Sequence, residues 1–325
     1  MKAQLALVIV AIAIPVSARP RSVYAALVRY LDPYARSNNF SGVVLVERNR
    51  RPIFRKAYGL SDREQGIPNR TETRFHVASI SMQFTAAAIL RLAVEGKLKL
   101  DHTVASYIPN TPGAGKVTIR DLLTQRSGLT DINSLPDYDD VMQHHQTRAT
   151  LVAAIEGKPL LFEPGSKYLH EEHSAYNLLA LIIEKKTQLP FAQAMQQLVF
   201  KPLQLANSGV DDDSLAPGPQ PAKGYQPEGT FGLKPATPIH WSAKAGNASV
   251  ITTAVDQARW VAALFTGKAL SARSRSAILD TAMPIGFGWF KGTNQRFNQT
   301  AYYMNGRSVV RPDSLPLFCI SPMAN

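Results

Sequence analysis

The stretch that decides the fold runs from Phe75 to Asp101 and reads FHVASISMQFTAAAILRLAVEGKLKLD. Its apolar residues recur with the spacing of a buried helix, so we predict a helix from Ala78 to Glu95. Gly96 follows at once, where glycine commonly ends a helix. Ser79 stands at the start of this helix, a position that serine often occupies as an N-cap. The segment predicts a long buried helix with a serine hydroxyl at its N-terminus.

Strands and helices flank this helix on both sides in the sequence. We predict strands at Gly42 to Val46, at Ile53 to Tyr58 and from Phe287. We predict helices at Ser22 to Tyr34, Ile119 to Gln125, Tyr176 to Lys186 and Asp256 to Thr266. The connections are a turn at Arg48 to Arg50, a loop at Asp62 to Thr73 and an irregular segment from Pro202 to Pro238. Strands near both ends with helices between them predict an α/β architecture. One antiparallel sheet would join the termini, flanked by helices, with an all-helical insertion in the middle.

Several strings in the chain occur in the order of a known family. VTIRDLLTQRSGL begins at Val117, Phe162 to Gly165 reads FEPG, YNLLALIIEKK begins at Tyr176 and GFGWF begins at Gly286. Together with the helix from Phe75, they resemble the serine β-lactamase and penicillin-binding-protein superfamily, which includes class C β-lactamases, D-alanyl-D-alanine carboxypeptidases and related esterases. The resemblance covers roughly residues 40 to 308 and implies a serine β-lactamase-like fold.

The resemblance implies that Ser79 is the nucleophile of an S-x-x-K motif. In that family the lysine lies one helical turn after the serine and helps to remove its proton. Met82 occupies the lysine position here, and a thioether takes up no proton. The alternative for Ser79 is a purely structural N-cap. The change at Met82 leaves the activation of Ser79 to another group, because an unactivated serine is a poor nucleophile.

The second motif of the family, Y-x-N, is replaced by a cluster of carboxylates and imidazoles. Residues 168 to 175 read YLHEEHSA, one residue longer than the family spacing. We consider His173, oriented by Glu171 or Glu172, as a base for Ser79, because an imidazole suits proton transfer near neutral pH. The alternative is a solvated loop with no role in catalysis.

The third motif lies at residues 303 to 307, which read YMNGR. It fits an H-x-G strand in which Met304 replaces the histidine. Asn305, Gly306 and Arg307 are the expected substrate-binding residues. Gly306 would let a ligand approach the backbone, and Arg307 could hold an anionic group.

Three functions remain open at this point. The first is a serine hydrolase that cleaves an ester, an amide or a β-lactam through an acyl-enzyme. The second is a catalytically inactive homologue that binds a cell-wall fragment or a protein. The third is a metal site made from histidines and glutamates at positions 144, 145 and 170 to 173. We expect neither a metal nor another cofactor, and a small-molecule or peptidoglycan-derived substrate.

Composition narrows the range of partners. The chain has 325 residues, a formal charge of +12 and one cysteine, Cys319, so it forms no intrachain disulfide. The basic residues are scattered, and their densest cluster, from Arg48 to Lys56, is interrupted by apolar residues. We interpret that cluster as a solvated surface and expect no nucleic-acid partner. We also expect a monomer.

The ends of the chain differ from the middle. A lysine, an apolar run from Leu5 to Ile14 and small residues up to Ala18 predict a signal peptide over residues 1–18 and an exported protein, periplasmic or secreted. The apolar run is short for a membrane span, which needs about 20 residues, and we expect no integral membrane segment after cleavage. Residues 19–308 would form the hydrolase domain. Residues 309–325 are an atypical tail, which we interpret as truncated or frame-shifted because its prolines fit central strands poorly.

Overall fold

A computed structural model describes residues 9–10, 20–38, 40–169, 172–212, 218–229, 232–267, 269–279, 285–294, 299–306 and 317–322. Its helices are α1 (Pro20–Arg36), α2 (Ser81–Val94), α3 (Ile119–Leu123), α4 (Tyr138–Val141), α5 (Arg148–Ala153), α6 (His173–Thr187), α7 (Phe191–Met195), α8 (Ala254–Phe265) and α9 (Ala272–Leu279). The helix predicted from Ala78 begins as a 3₁₀ turn over Ala78–Ile80 that leads into α2. Among the described residues, no helix is long and apolar enough to cross a bilayer.

The strands are β1 (Ile9–Val10), β2 (Gly42–Arg48), β3 (Arg51–Tyr58), β4 (Leu60–Asp62), β5 (Ile67–Pro68), β6 (Phe75–His76), β7 (Gly209–Val210), β8 (Tyr225–Glu228), β9 (Gly232–Pro235), β10 (Val250–Thr252), β11 (Ile285–Gly286), β12 (Trp289–Asn294), β13 (Gln299–Gly306) and β14 (Leu317–Pro322). The largest sheet has the order β1-β14-β13-β12-β11, and a second sheet has the order β6-β10-β7. The remaining strands form the hairpins β2–β3, β4–β5 and β8–β9.

The single antiparallel sheet that we expected is divided into separate ladders. β1 brings the N-terminal part of the chain beside the C-terminal strand β14, but the two strands are parallel. Among the described residues, β1 contacts β2 but pairs only with β14, and the hairpin β2–β3 forms a sheet of its own.

The insertion is helical, as predicted. All described elements between β6 and β7 are helices, and α2 packs against α6 near the middle of the main hydrophobic core. A second, smaller core lies between α1 and the β2–β3 hairpin. The helix α2 is therefore buried inside the molecule.

Two expectations about irregular segments are wrong. The loop expected at Asp62 to Thr73 contains β5, and the segment expected to be irregular from Pro202 to Pro238 contains β7 and the hairpin β8–β9. In the tail, β14 pairs with β13 along six residues and lies between β13 and β1. Pro322 is accommodated because it is the last residue of that strand. Pro312 and Pro316 lie outside the described residues.

Candidate active site

Ser79 lies in the 3₁₀ turn before α2, at a backbone position under strain. The residue before it, Ala78, has a φ of 46°, in the left-handed region that a non-glycine residue occupies at a cost of about 1–3 kcal/mol. The turn is held by Val77, whose N–H donates to the carbonyl of Val250 at 3.0 Å. Among the described residues, the Ser79 hydroxyl has no hydrogen-bond partner, although the residue is only 6% exposed. The strain lies at Ala78, and Ser79 is not the N-cap of the 3₁₀ turn or of α2, whose N-caps are Val77 and Ile80.

Met82 lies one helical turn after Ser79, on the same face of the helix, and is fully buried. Its sulfur accepts a hydrogen bond from the side-chain amide of Gln125 at 3.6 Å. The amide oxygen of Gln125 in turn accepts the backbone N–H of Glu172 at 3.3 Å. Gln125 therefore links Met82 to the backbone just before α6.

The carboxylate of Glu172 is fully buried against the turn that follows α3. Ser127 donates to it through its hydroxyl at 2.7 Å and through its backbone N–H at 3.3 Å. Burial raises the pKa of Glu172 to about 7, against the opposite effect of hydrogen bonds from Ser127, Leu129 and Gly128. Among the described residues, no Lys, Arg or His forms an ion pair with this carboxylate. Glu172 is thus a carboxyl group that changes protonation near neutral pH.

Gly128 is needed for this turn to wrap around the carboxylate. Its φ is 74°, and a Cβ at this position would lie 2.3 Å from the carbonyl oxygen of Phe162. Only glycine combines the left-handed backbone with so close a contact. The turn at Ser127 to Leu129 is therefore a binding turn for the Glu172 carboxylate.

The sequence expectation that Glu172 orients His173 is wrong. His173 is the first residue of α6, and its Nδ1 lies 3.1 Å from Asp131 and 2.9 Å from the side-chain amide of Asn133. The two neighbours diverge because α6 begins between them, so that Glu172 turns to Ser127 and His173 turns to the loop before α4. Glu171 and His170 lie outside the described residues. Among the described residues, the acid that holds His173 is Asp131, and no hydrogen bond joins His173 to Ser79.

A buried lysine, Lys244, lies beyond Asp131 and contacts Tyr138. Lys244 is 1% exposed, and its ammonium donates to the hydroxyl of Tyr138 at 2.9 Å while lying 4.6 Å from the centre of that ring. Burial and the nearby Asp131 carboxylate raise the pKa of Tyr138. Tyr138 thus lies between an anion and a cation, and it keeps its proton. Sequence reasoning missed Gln125, Asp131 and Lys244, because no local pattern marks a partner so distant in the chain.

The first turn of α2 is fixed by a separate polar contact at Gln83. The side-chain oxygen of Gln83 accepts hydrogen bonds from Trp260 at 2.9 Å and from Gln257 at 3.3 Å, all three fully buried. The backbone of α2 also touches Gly288, where a Cβ would lie 2.6 Å from the Gln83 nitrogen. These contacts hold the start of the helix, and with it Ser79, in one place.

The third motif lies on β13, which packs beside the 3₁₀ turn that carries Ser79. Met304 is buried, and its Cα pairs with Cys319 on β14. Asn305 and Gly306 end the strand, and Arg307 lies outside the described residues. The strand thus lies beside Ser79, and the roles of Asn305, Gly306 and Arg307 in substrate binding remain predictions.

The described residues that were considered for a metal site have other partners, and His170 and Glu171 lie outside the described residues. His144 is exposed and bonds the backbone oxygen of Asp140, and the ring of His145 lies edge-on to His240. Within the part of the chain that the structure describes, no three His, Cys, Asp or Glu side chains form a group that could hold a metal ion.

Comparison with known proteins relates this geometry to a family. The family model described as Beta-lactamase matches residues 27–310. The putative penicillin-binding protein PbpX of Bacillus subtilis is 30% identical over 75% of this chain and 60% of its own length, and the esterase EstB of Burkholderia gladioli is 32% identical over 58% and 52%. The chain thus spans between half and two thirds of the length of these relatives.

A solved structure extends the likeness to the fold. The octameric penicillin-binding protein homologue from Pyrococcus abyssi superposes with a TM-score of 0.75, at 19% identity, over 87% of this chain and 68% of its own. This likeness confirms the predicted α/β fold. Because the family model spans most of the sequence and includes Ser79, we conclude that the chain belongs to the beta-lactamase family of serine hydrolases.

Proposed function

We propose that this protein hydrolyses an ester or amide bond through an acyl-enzyme on Ser79, with Glu172 as the base that replaces the missing lysine. The observation that carries the proposal is the buried carboxyl of Glu172, which Ser127 holds, on a residue whose backbone N–H is linked through Gln125 to Met82, one turn from Ser79. A pKa near 7 gives this carboxyl enough free base at neutral pH and enough basicity to accept a proton.

The two steps of the reaction follow from these groups. The carboxylate of Glu172 takes the hydroxyl proton of Ser79, directly or through Ser127, as the oxygen attacks the substrate carbonyl. The protonated Glu172 returns that proton to the leaving group, and the acyl-enzyme forms. Water then attacks the ester carbonyl of the acyl-enzyme, with Glu172 again as the base, and Ser79 is released.

The relatives suggest the range of substrates. EstB is named as an esterase and PbpX as a putative penicillin-binding protein, which supports small carboxylic esters, D-alanyl peptides or β-lactams as candidates for this chain. We favour short-chain esters, because Met82 and Met304 leave fewer fixed charges to hold a substrate carboxylate. An exported monomer, periplasmic or secreted, would meet such substrates outside the cytoplasm.

The altered motifs also support a second candidate, a catalytically inactive relative that binds cell-wall fragments or a protein. Methionine stands at two positions where the family has proton-carrying side chains, and both methionines are buried. Binding without turnover would preserve the substrate groove while removing the chemistry.

Hydrolysis of a nitrophenyl ester and of a chromogenic cephalosporin separates the two candidates. We expect turnover that is lost in Ser79→Ala and that rises with pH through about 7, as Glu172 loses its proton. Mass spectrometry of the quenched reaction should show an acyl adduct on the peptide that contains Ser79. A folded protein with no turnover and no adduct would support the binding role instead.

A further inference from the structure

The α1 helix and the β2–β3 hairpin form a small unit with its own apolar core, including Leu27, Val44 and Phe54. Residues 20–58, which span this unit, contain eight Lys and Arg residues against two acidic residues. That is a charge of +6, half of the +12 of the whole chain, on about an eighth of its length. We propose that this basic unit, residues 20–58, docks the protein peripherally on the surface of an anionic phospholipid bilayer.

The charge of the basic unit is concentrated at its outer parts. Arg50 and Arg51 lie at the tip of the hairpin and Arg29 lies on α1, all three exposed and, among the described residues, without an ion pair. In contrast, Lys56 and Arg55 are neutralised by Asp32 and Glu72. The exposed arginines are therefore available to an external anion, whereas the paired cations serve the fold.

The tip of the β2–β3 hairpin is a defined two-residue turn. Asn49 and Arg50 have φ values of 52° and 60°, the left-handed pair of a tight two-residue hairpin turn. An arginine at such a position is unfavourable compared with glycine. The tip thus carries a charged side chain where the backbone alone favours a small residue.

A row of tyrosines favours a bilayer over a soluble polyanion. Tyr30 and Tyr34 of α1 are 65% and 46% exposed with ring centres 5.6 Å apart, and Tyr24 is 43% exposed beside Phe54. Tyrosine, with an apolar ring and a polar hydroxyl, is enriched at the boundary between lipid headgroups and hydrocarbon. Arginines and tyrosines on one helix are the combination found in helices that lie at a membrane surface.

Vesicle co-sedimentation of the purified full chain tests the proposal. Binding to phosphatidylcholine vesicles that contain phosphatidylglycerol should exceed binding to pure phosphatidylcholine and should weaken as salt rises from about 0.1 M to about 1 M. The triple variant Arg29→Gln, Arg50→Gln, Arg51→Gln should lose roughly five-fold in affinity for each arginine, or on the order of 100-fold in total. The matched control, Lys99→Gln, Lys185→Gln, Lys201→Gln, removes three exposed lysines elsewhere and should bind like the parent.

Three results of this experiment would contradict the proposal. Equal binding to neutral and anionic vesicles would reflect the apolar N-terminal run instead and would overturn the proposal. An equal loss in the control variant would show a general effect of net charge and would overturn it as well. Binding to a DNA duplex or to inorganic polyphosphate without binding to anionic vesicles would assign the basic unit to a soluble polyanion. Circular dichroism and thermal unfolding of all variants, measured in parallel, confirm that they are folded.

Discussion

Two carboxylates of this protein are equally buried but differ in their surroundings. Asp256, in the first turn of α8, accepts the backbone N–H of Asn207 at 2.7 Å and the hydroxyl of Ser208 at 3.1 Å, and it pairs with Arg259 at 3.1 Å. Glu172 has hydrogen bonds from one turn and, among the described residues, no cation, and burial raises its pKa to about 7. A buried acid paired with a cation stabilises the fold, whereas a buried acid held only by neutral donors is prepared to exchange a proton.

The largest expected effect concerns catalysis. Glu172→Gln removes the base but keeps the shape of the side chain, so we expect kcat/KM for an ester substrate to fall about 10²–10⁴-fold at pH 8. Asp256→Asn is the matched control, with the same chemical change at the structural carboxylate, and the folded fraction should keep its activity. A Glu172→Gln variant with the parent rate would remove Glu172 from the mechanism.

Removal of the structural carboxylate, Asp256, should give the largest loss of stability. Asp256→Ala leaves the N–H of Asn207 and the hydroxyl of Ser208 without their acceptor, so we expect the free energy of unfolding to fall by about 2–4 kcal/mol. Urea unfolding followed by tryptophan fluorescence measures this loss. A loss below about 1 kcal/mol would mean that water replaces the carboxylate, contrary to its complete burial.

Replacing the candidate base, Glu172, should change the free energy of unfolding in the opposite direction. Its folded pKa of about 7 lies above its ordinary value of 4.5, so its ionisation destabilises the folded state as pH rises between these values. Glu172→Gln should therefore raise the free energy of unfolding by up to about 3 kcal/mol at pH 8 and by little at pH 4. Urea unfolding at the two pH values tests this. A variant that is less stable than the parent at pH 8 would show that Glu172 is a structural acid like Asp256.

The smallest expected effect is at Met82. Met82→Leu keeps the apolar volume and loses only the weak hydrogen bond from Gln125, so it should cost less than about 1.5 kcal/mol and leave the esterase rate within a few-fold. Thermal unfolding and the nitrophenyl ester assay measure both quantities. A large loss of rate in a stable Met82→Leu protein would give the thioether a direct role that the proposed mechanism lacks.

The sequence predicted well what local patterns determine. The helix from Ala78, the helix in α6 and the strands of the β2–β3 hairpin follow from apolar spacing, and the ordered motifs predicted the family. The short strands β5, β8 and β9 were missed, because each is stabilised by pairing with its neighbour and not by an apolar pattern of its own.

The site was predicted less completely than the fold. Ser79, Met82 and Glu172 were identified from motif positions. The pairing of His173 with Asp131 and that of Glu172 with Ser127 join residues more than 40 positions apart, and the direction of each side chain depends on where α6 begins. Adjacency in the sequence suggested a His–Glu pair, whereas the fold turns the two side chains to different neighbours.

The orientation of the Gln125 amide has a consequence for evolution. Its oxygen accepts the N–H of Glu172, and its nitrogen therefore faces position 82 as a donor. A lysine restored at position 82 would meet that donor, and turning the amide to receive the ammonium would set its nitrogen against the Glu172 N–H. A lysine at position 82 is thus disfavoured while Gln125 keeps this orientation, so that a Met82→Lys substitution depends epistatically on a second change at Gln125.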